Sequence, residues 1–115
     1  GVTSYRWITK NIDPQNIVEV TASDGASGSG PTGAYAYQDG VFHSFDTTNT
    51  AYQKAVYTSL LGLGGNMIWS VESDGEGVYS IAGSIKELWD SYVAHECSSN
   101  VAASAVSSPF CYSCA

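Results

Sequence analysis

Gly62-Leu63-Gly64-Gly65-Asn66-Met67-Ile68-Trp69-Ser70-Val71-Glu72-Ser73-Asp74-Gly75 is the stretch whose reading decides the fold. Its glycines close a helical pattern. Met67 to Val71, with Asn66 at the entrance, is mostly apolar and reads as a buried strand. The polar turn Glu72 to Gly77 stops it, and a second helical pattern begins. The expected layout is helix–strand–helix, half of the usual α/β repeat. Ligand chemistry in such units collects where strands end and loops begin. Trp69, Glu72, Asp74 and Glu76 stand at that end, so they are the first candidates for a small-molecule site.

Working outward, the following segment has Ser84 and Glu87 at capping-box spacing. Ile81, Ile85, Leu88, Trp89, Tyr92 and Val93 give this second helix one apolar face, opposite Lys86, Glu87, Asp90 and Ser91. On the other side, Thr50 and Gln53 have the same capping-box spacing. A helix is expected from about Ala51 to Leu61, with its apolar stripe on Tyr52, Val56, Leu60 and Leu63 and with Ala55 and Ser59 beside them. Gly62 is placed to end it in a left-handed turn. Before it, Ala34–Tyr37 and Val41–Phe45 flank Asp39-Gly40, which is a hairpin signature. Ser23 to Gly33 reads as a loop. Ile17–Thr21 and the β-favouring run Gly1–Thr9 read as strands. The expected boundaries are one domain over residues 1–97 and an extended Ser/Ala-rich tail over 98–115.

The 115 residues carry eleven acids against four bases, a net charge of −7. No Lys/Arg cluster is present to neutralise phosphates, so nucleic acid and anionic membrane surfaces are not expected partners. No apolar run approaches the roughly 20 residues needed to span a bilayer. No basic-then-apolar leader stands before Gly1, so the expectation is a chain whose signal, if it had one, is already removed. Few lysines with many Gly, Ser, Thr and Tyr suggest a secreted, extracellular protein.

Cys97, Cys111 and Cys114 all fall in the last fifth of the chain. The odd number leaves one thiol over after any internal pair. Cys111 and Cys114 are close enough to bridge each other. The preferred alternative pairs Cys97 with one of them and staples the tail to the helix. The remaining cysteine then becomes the link to a second polypeptide chain. The Cys111–Cys114 spacing lacks the following helix that a redox pair needs, and three cysteines with scattered histidines do not make a zinc site.

The run Phe42-His43-Ser44-Phe45-Asp46, a helix, and then Leu60 to Asp74 resembles the C-terminal part of family 18 glycoside hydrolases, the chitinases and chitinase-like lectins. The resemblance implies the last β-α units of a β-α barrel. It also implies that Trp69 is the floor of a sugar subsite, with Tyr5 and Arg6 lining the same cleft. Gly1-Val2-Thr3-Ser4-Tyr5-Arg6-Trp7 is similar to that family's seventh-strand segment, without its glycine. The family's catalytic motif, Asp-x-x-Asp-x-Asp-x-Glu, is absent from these residues, and Glu72-x-Asp74-x-Glu76 does not have its spacing. A proton-donating acid for glycoside hydrolysis therefore has no candidate here.

These readings converge on an α/β or α+β domain. It is expected to be a two-layer sandwich of a mixed or antiparallel sheet with two main helices. The expected function is a secreted, non-catalytic domain or subunit associated with a chitin-type oligosaccharide, contacting it through Trp69, Tyr5, Arg6, Glu72 and Asp74. No cofactor or metal is expected. The alternative is a small killer-toxin-like or effector protein acting on a target cell surface.

Overall fold

A computed structural model of the protein describes residues 2–21 and 30–99, the last eight by backbone alone. The order is helix α1 (Tyr5–Asn11), strands β1 (Ile17–Val20), β2 (Gly33–Gln38) and β3 (Val41–Phe45), then helices α2 (Thr48–Leu60) and α3 (Ile81–Ser99). The strands form one antiparallel sheet in the order β1-β2-β3. Together these elements make a small α+β domain compatible with a two-layer sandwich.

The hairpin forms where the sequence places it. Gln38 pairs with Val41 across Asp39-Gly40. Asp39 has φ 53° and Gly40 φ 77°, the left-handed pair that a tight primed turn requires. Ile17 pairs with Ala36, which brings the predicted second strand alongside.

The first segment departs from expectation. Residues 5–11 are helical, although their composition favours a strand. Ser4 caps the helix by accepting from the Trp7 amide at 3.3 Å. The winding puts Ile8 and Ile12 on one face, where both are buried against Ala36 of β2. Tyr5, Ile17 and Phe45 close around this cluster. Burial of one helical face overrides an intrinsic preference worth only tenths of a kcal/mol per residue.

Both long helices start earlier than their sequence signals suggest. The capping box of α2 is Thr47 with Thr50 rather than Thr50 with Gln53. The Thr47 side chain accepts from the Thr50 amide at 3.2 Å, and the Thr50 hydroxyl accepts from the Thr47 amide at 2.9 Å. Helix α3 is preceded by Ser80, whose hydroxyl accepts from Gly83 N at 2.9 Å. Ser84 lies one turn inside, and its hydroxyl donates to the Thr48 carbonyl of α2 at 2.8 Å. The buried side of α2 also differs from the predicted stripe. It is made of Thr50, Ala51, Ala55 and Thr58, whereas Leu60 and Leu63 are exposed. Small residues let α2 and α3 approach closely, and the large side chains are left outside. On α3, Lys86, Glu87, Asp90 and Ser91 face solvent as expected, and Lys86 pairs with Asp90 one turn on. The helix runs through position 97 to Ser99, past the expected domain boundary. Residues 100–115, with Cys111 and Cys114, and most of the predicted Ser23–Gly33 loop lie outside the described residues.

The largest correction concerns Asn66–Val71. It forms no strand: residues 66–70 are irregular and pair with no described strand, and Val71 already belongs to a 3-10 turn. The chain turns into it through Gly62, φ 65°, as expected for a helix terminator. It leaves through two short 3-10 turns, Val71–Ser73 and Gly77–Tyr79. The α/β repeat anticipated around it is therefore a helix–irregular segment–helix unit.

Candidate functional site

Asp74 organises the loop that follows this segment. Its side chain is buried. Oδ1 accepts from Gly75 N at 2.8 Å and Ile81 N at 2.8 Å. Oδ2 accepts from the Ser80 hydroxyl at 2.9 Å and Ala82 N at 3.0 Å. The carboxylate thus folds the 74–80 loop back onto the first turn of α3, satisfying amides that the helix itself leaves orphaned. Burial pushes its pKa up, but the amides of Ala82 and Ile81, the Ser80 hydroxyl and the Gly75 amide together outweigh that, and the group sits below the usual aspartate range. All four hydrogen bonds run within the protein, so the carboxylate braces the loop beside the site.

The Asp74 carbonyl reaches in the other direction. It accepts from Arg6 Nε on α1 at 3.1 Å. The same nitrogen lies 3.6 Å from Glu76 Oε1, which is also 3.6 Å from Lys10 Nζ. These side chains are largely solvent-accessible and tie α1 to the loop only weakly. Tyr5, one residue before Arg6, has its phenol pKa raised, first by burial and then by the negative charge of Asp74.

Tyr5, Ser4, Ile68, Trp69 and Asp74 line a cavity of about 310 Å³. A second, of about 300 Å³, lies on the other side of the same residues and reaches Asp46, Lys54 and Asn66. Tyr5, Ile68, Trp69 and Ile81 are shared by both. Trp69 is 91% exposed. Its indole therefore stands at the boundary of two concavities and is not part of a core. The Trp69–Ser70 peptide bond is cis. Glu72 is exposed, with its pKa lowered by the Ser70 hydroxyl and by its own backbone amide.

Of the residues singled out from sequence, Tyr5, Trp69 and Asp74 therefore come together. Arg6 joins them through the Asp74 backbone, and Glu72 points away into solvent. Sequence reasoning missed three participants. Asn66 donates to the Thr58 hydroxyl at 3.0 Å and accepts from Trp89 Nε1 at 3.0 Å, clamping the irregular segment between α2 and α3. Nothing local in the sequence marks that role. Lys54 bonds Asp46 at 2.6 and 2.8 Å, beside the second cavity. Ser80 had a readable signal, as a serine immediately before an apolar helical run.

Among the described residues no group of His, Cys, Asp and Glu could hold a metal ion. No described helix is long and apolar enough to cross a membrane. Fold and site together define a small α+β domain that presents an exposed tryptophan between two hollows of mixed polar and apolar lining. Comparison of the chain with protein-family models, with curated proteins and with solved structures gives no match.

Proposed function

We propose that the chain is a non-catalytic carbohydrate-associated domain or subunit, secreted, and related to the C-terminal region of chitinases. The observation that carries this reading is Trp69, a large aromatic 91% exposed yet framed by hollows of sugar-ring size. A flat indole stacks on the C–H face of a pyranose, and polar groups around the ring supply orientation. On this reading the Tyr5 hydroxyl, which lines both hollows, supplies one such group. Asp74 holds the loop, and Arg6 braces it from α1.

Catalysis is not part of this reading. Asp74 is engaged by four donors, and Glu72 is an exposed carboxylate with a lowered pKa, the opposite of what a general acid needs. Purified protein should show no turnover of fluorogenic chito-oligosaccharides at any pH.

The reading also includes a further stretch of polypeptide beside Asn66–Val71. Met67 and Trp69 are exposed, whereas Ile68 between them is half-buried. Among the described residues, the backbone from Gly64 to Trp69 makes no hydrogen bond to another backbone group. That is the profile of a strand awaiting a neighbour. A second chain there would supply the β-α units that the family resemblance implies.

The test is a titration with soluble chitotetraose followed by tryptophan fluorescence. A saturable blue shift that disappears in Trp69→Ala supports the proposal. An unshifted spectrum in the wild-type protein rejects it.

A further inference from the structure

The outer face of the sheet has an inverted composition. Along Ala34-Tyr35-Ala36-Tyr37 the small residues point inward, with Ala34 and Ala36 buried, and the tyrosines point outward. The inner face is identified by its contacts. Phe45 packs on Tyr5 at 6.2 Å between ring centroids and His43 on Trp7 at 5.9 Å. Gln38 bonds Asp13 N at 2.9 Å and the Asn11 carbonyl at 3.0 Å. The alternate positions, Val18, Val20, Tyr35, Tyr37, Phe42 and Ser44, therefore share the opposite face. Tyr37 is 63% and Phe42 62% exposed, and the two are directly paired across β2 and β3. Tyr35 and Phe42 stack, with centroids 5.5 Å apart and planes inclined by 25°.

Burying alanine and exposing tyrosine and phenylalanine works against stability, so this face needs an explanation other than packing. Two further features bear on what covers it. Among the described strand residues no charged side chain stands on it, although the chain carries a net charge of −7. Its footprint is also small. Three strands about 4.8 Å apart and four to six residues long span on the order of 250 Å². A stable protein interface needs about 800 Å² from each partner. A second copy of the chain, or another folded protein, would gain too little here. A few pyranose rings match the area, need no counter-charge, and present C–H faces to the rings while the Tyr35, Tyr37 and Ser44 hydroxyls meet their rims.

We infer that the outer face of the β1-β2-β3 sheet, centred on Tyr37 and Phe42, is a second carbohydrate-binding surface that takes a flat, uncharged polysaccharide. The class of ligand rests on the reading proposed above, but the surface itself is independent of Trp69.

The experiment is retention of the full chain on insoluble chitin powder, compared with the soluble chitotetraose titration. The Tyr37→Ala/Phe42→Ala protein should lose about tenfold in affinity for the powder, the expected effect of removing two ring contacts. Its melting temperature and its response to chitotetraose should not change. Should that double variant misfold, Val18→Lys, which places one charge in the face, should weaken retention in the same way. Trp69→Ala should still be retained. The inference is overturned if the wild-type chain is not retained, or if the sheet-face variants are retained as well as wild type. It is also overturned if those variants instead abolish a concentration-dependent dimer. Retention that depends on Tyr37 and Phe42 with no chitotetraose response would reject the Trp69 reading alone.

Discussion

Trp69 and Asp74 sit five residues apart and are held by opposite means. Trp69 projects from a backbone that makes no strand ladder, and its ring is almost wholly in solvent. Replacing it with alanine should change stability by no more than about 0.5 kcal/mol, the usual range for an exposed position. A core tryptophan would lose about 3–5 kcal/mol, so a urea titration of Trp69→Ala separates the two situations. Asp74 is the reverse case. Asp74→Ala strands the amides of Gly75, Ile81 and Ala82 and the Ser80 hydroxyl at the foot of α3. A loss of about 2–4 kcal/mol is expected, combining a missing helix cap with unsatisfied buried donors. The same denaturant experiment reads it, and Ser80→Ala should lose only about 1 kcal/mol.

At the scale of elements, the segment between α2 and α3 is the part least supported by its own backbone. Asn66 clamps its entrance and Asp74 its exit, and no ladder holds the residues between. Amide exchange should therefore be at least about a hundredfold faster at Met67–Trp69 than at Ala36, which lies in the centre of the sheet. Equal protection at the two places in the free chain would show that a neighbour already covers this segment. The turn before it depends on glycine geometry. Gly62 has φ 65° with open space where a Cβ would stand, so Gly62→Ala should cost about 1–2 kcal/mol from backbone conformation alone. Thermal melting checks this directly.

For the molecule as a whole, Asp74 makes stability depend on acid. Its folded pKa lies below its ordinary value, so its contribution is fully present above the unfolded carboxylate pKa of about 3.9. Stability falls as pH drops below that point and the folded group takes up its proton. The midpoint of urea unfolding should decrease on acidification from pH 5 to pH 2, and Asp74→Asn should flatten part of that slope. The cysteines set a second whole-molecule property. A staple from Cys97 to Cys111 or Cys114 would leave one thiol for a partner chain. Non-reducing mass analysis should then show a covalent dimer or heterodimer, whereas three free thiols would remove both the staple and the link.

The hairpin at Asp39-Gly40, the end of α2 at Gly62 and the solvent-facing side of α3 were readable from sequence, because each rests on local rules of turn chemistry or helical period. Trp69 and Asp74 were singled out at the end of an expected strand; they line one cavity although no strand forms there. What local pattern could not decide was burial. Tyr5–Asn11 looked like a strand and became a helix because Ile8 and Ile12 meet Ala36, a contact across the sheet. Leu60 and Leu63 looked like core and lie outside, because Ala51 and Ala55 let the helices close on the other side. The capping role of Asp74 was not readable, since its partners at 80–82 arrive only when the loop folds back. Local sequence determines where elements begin and turn. Which face of each meets another, and so which side chains stay free for a ligand, is set by contacts between residues far apart in the chain.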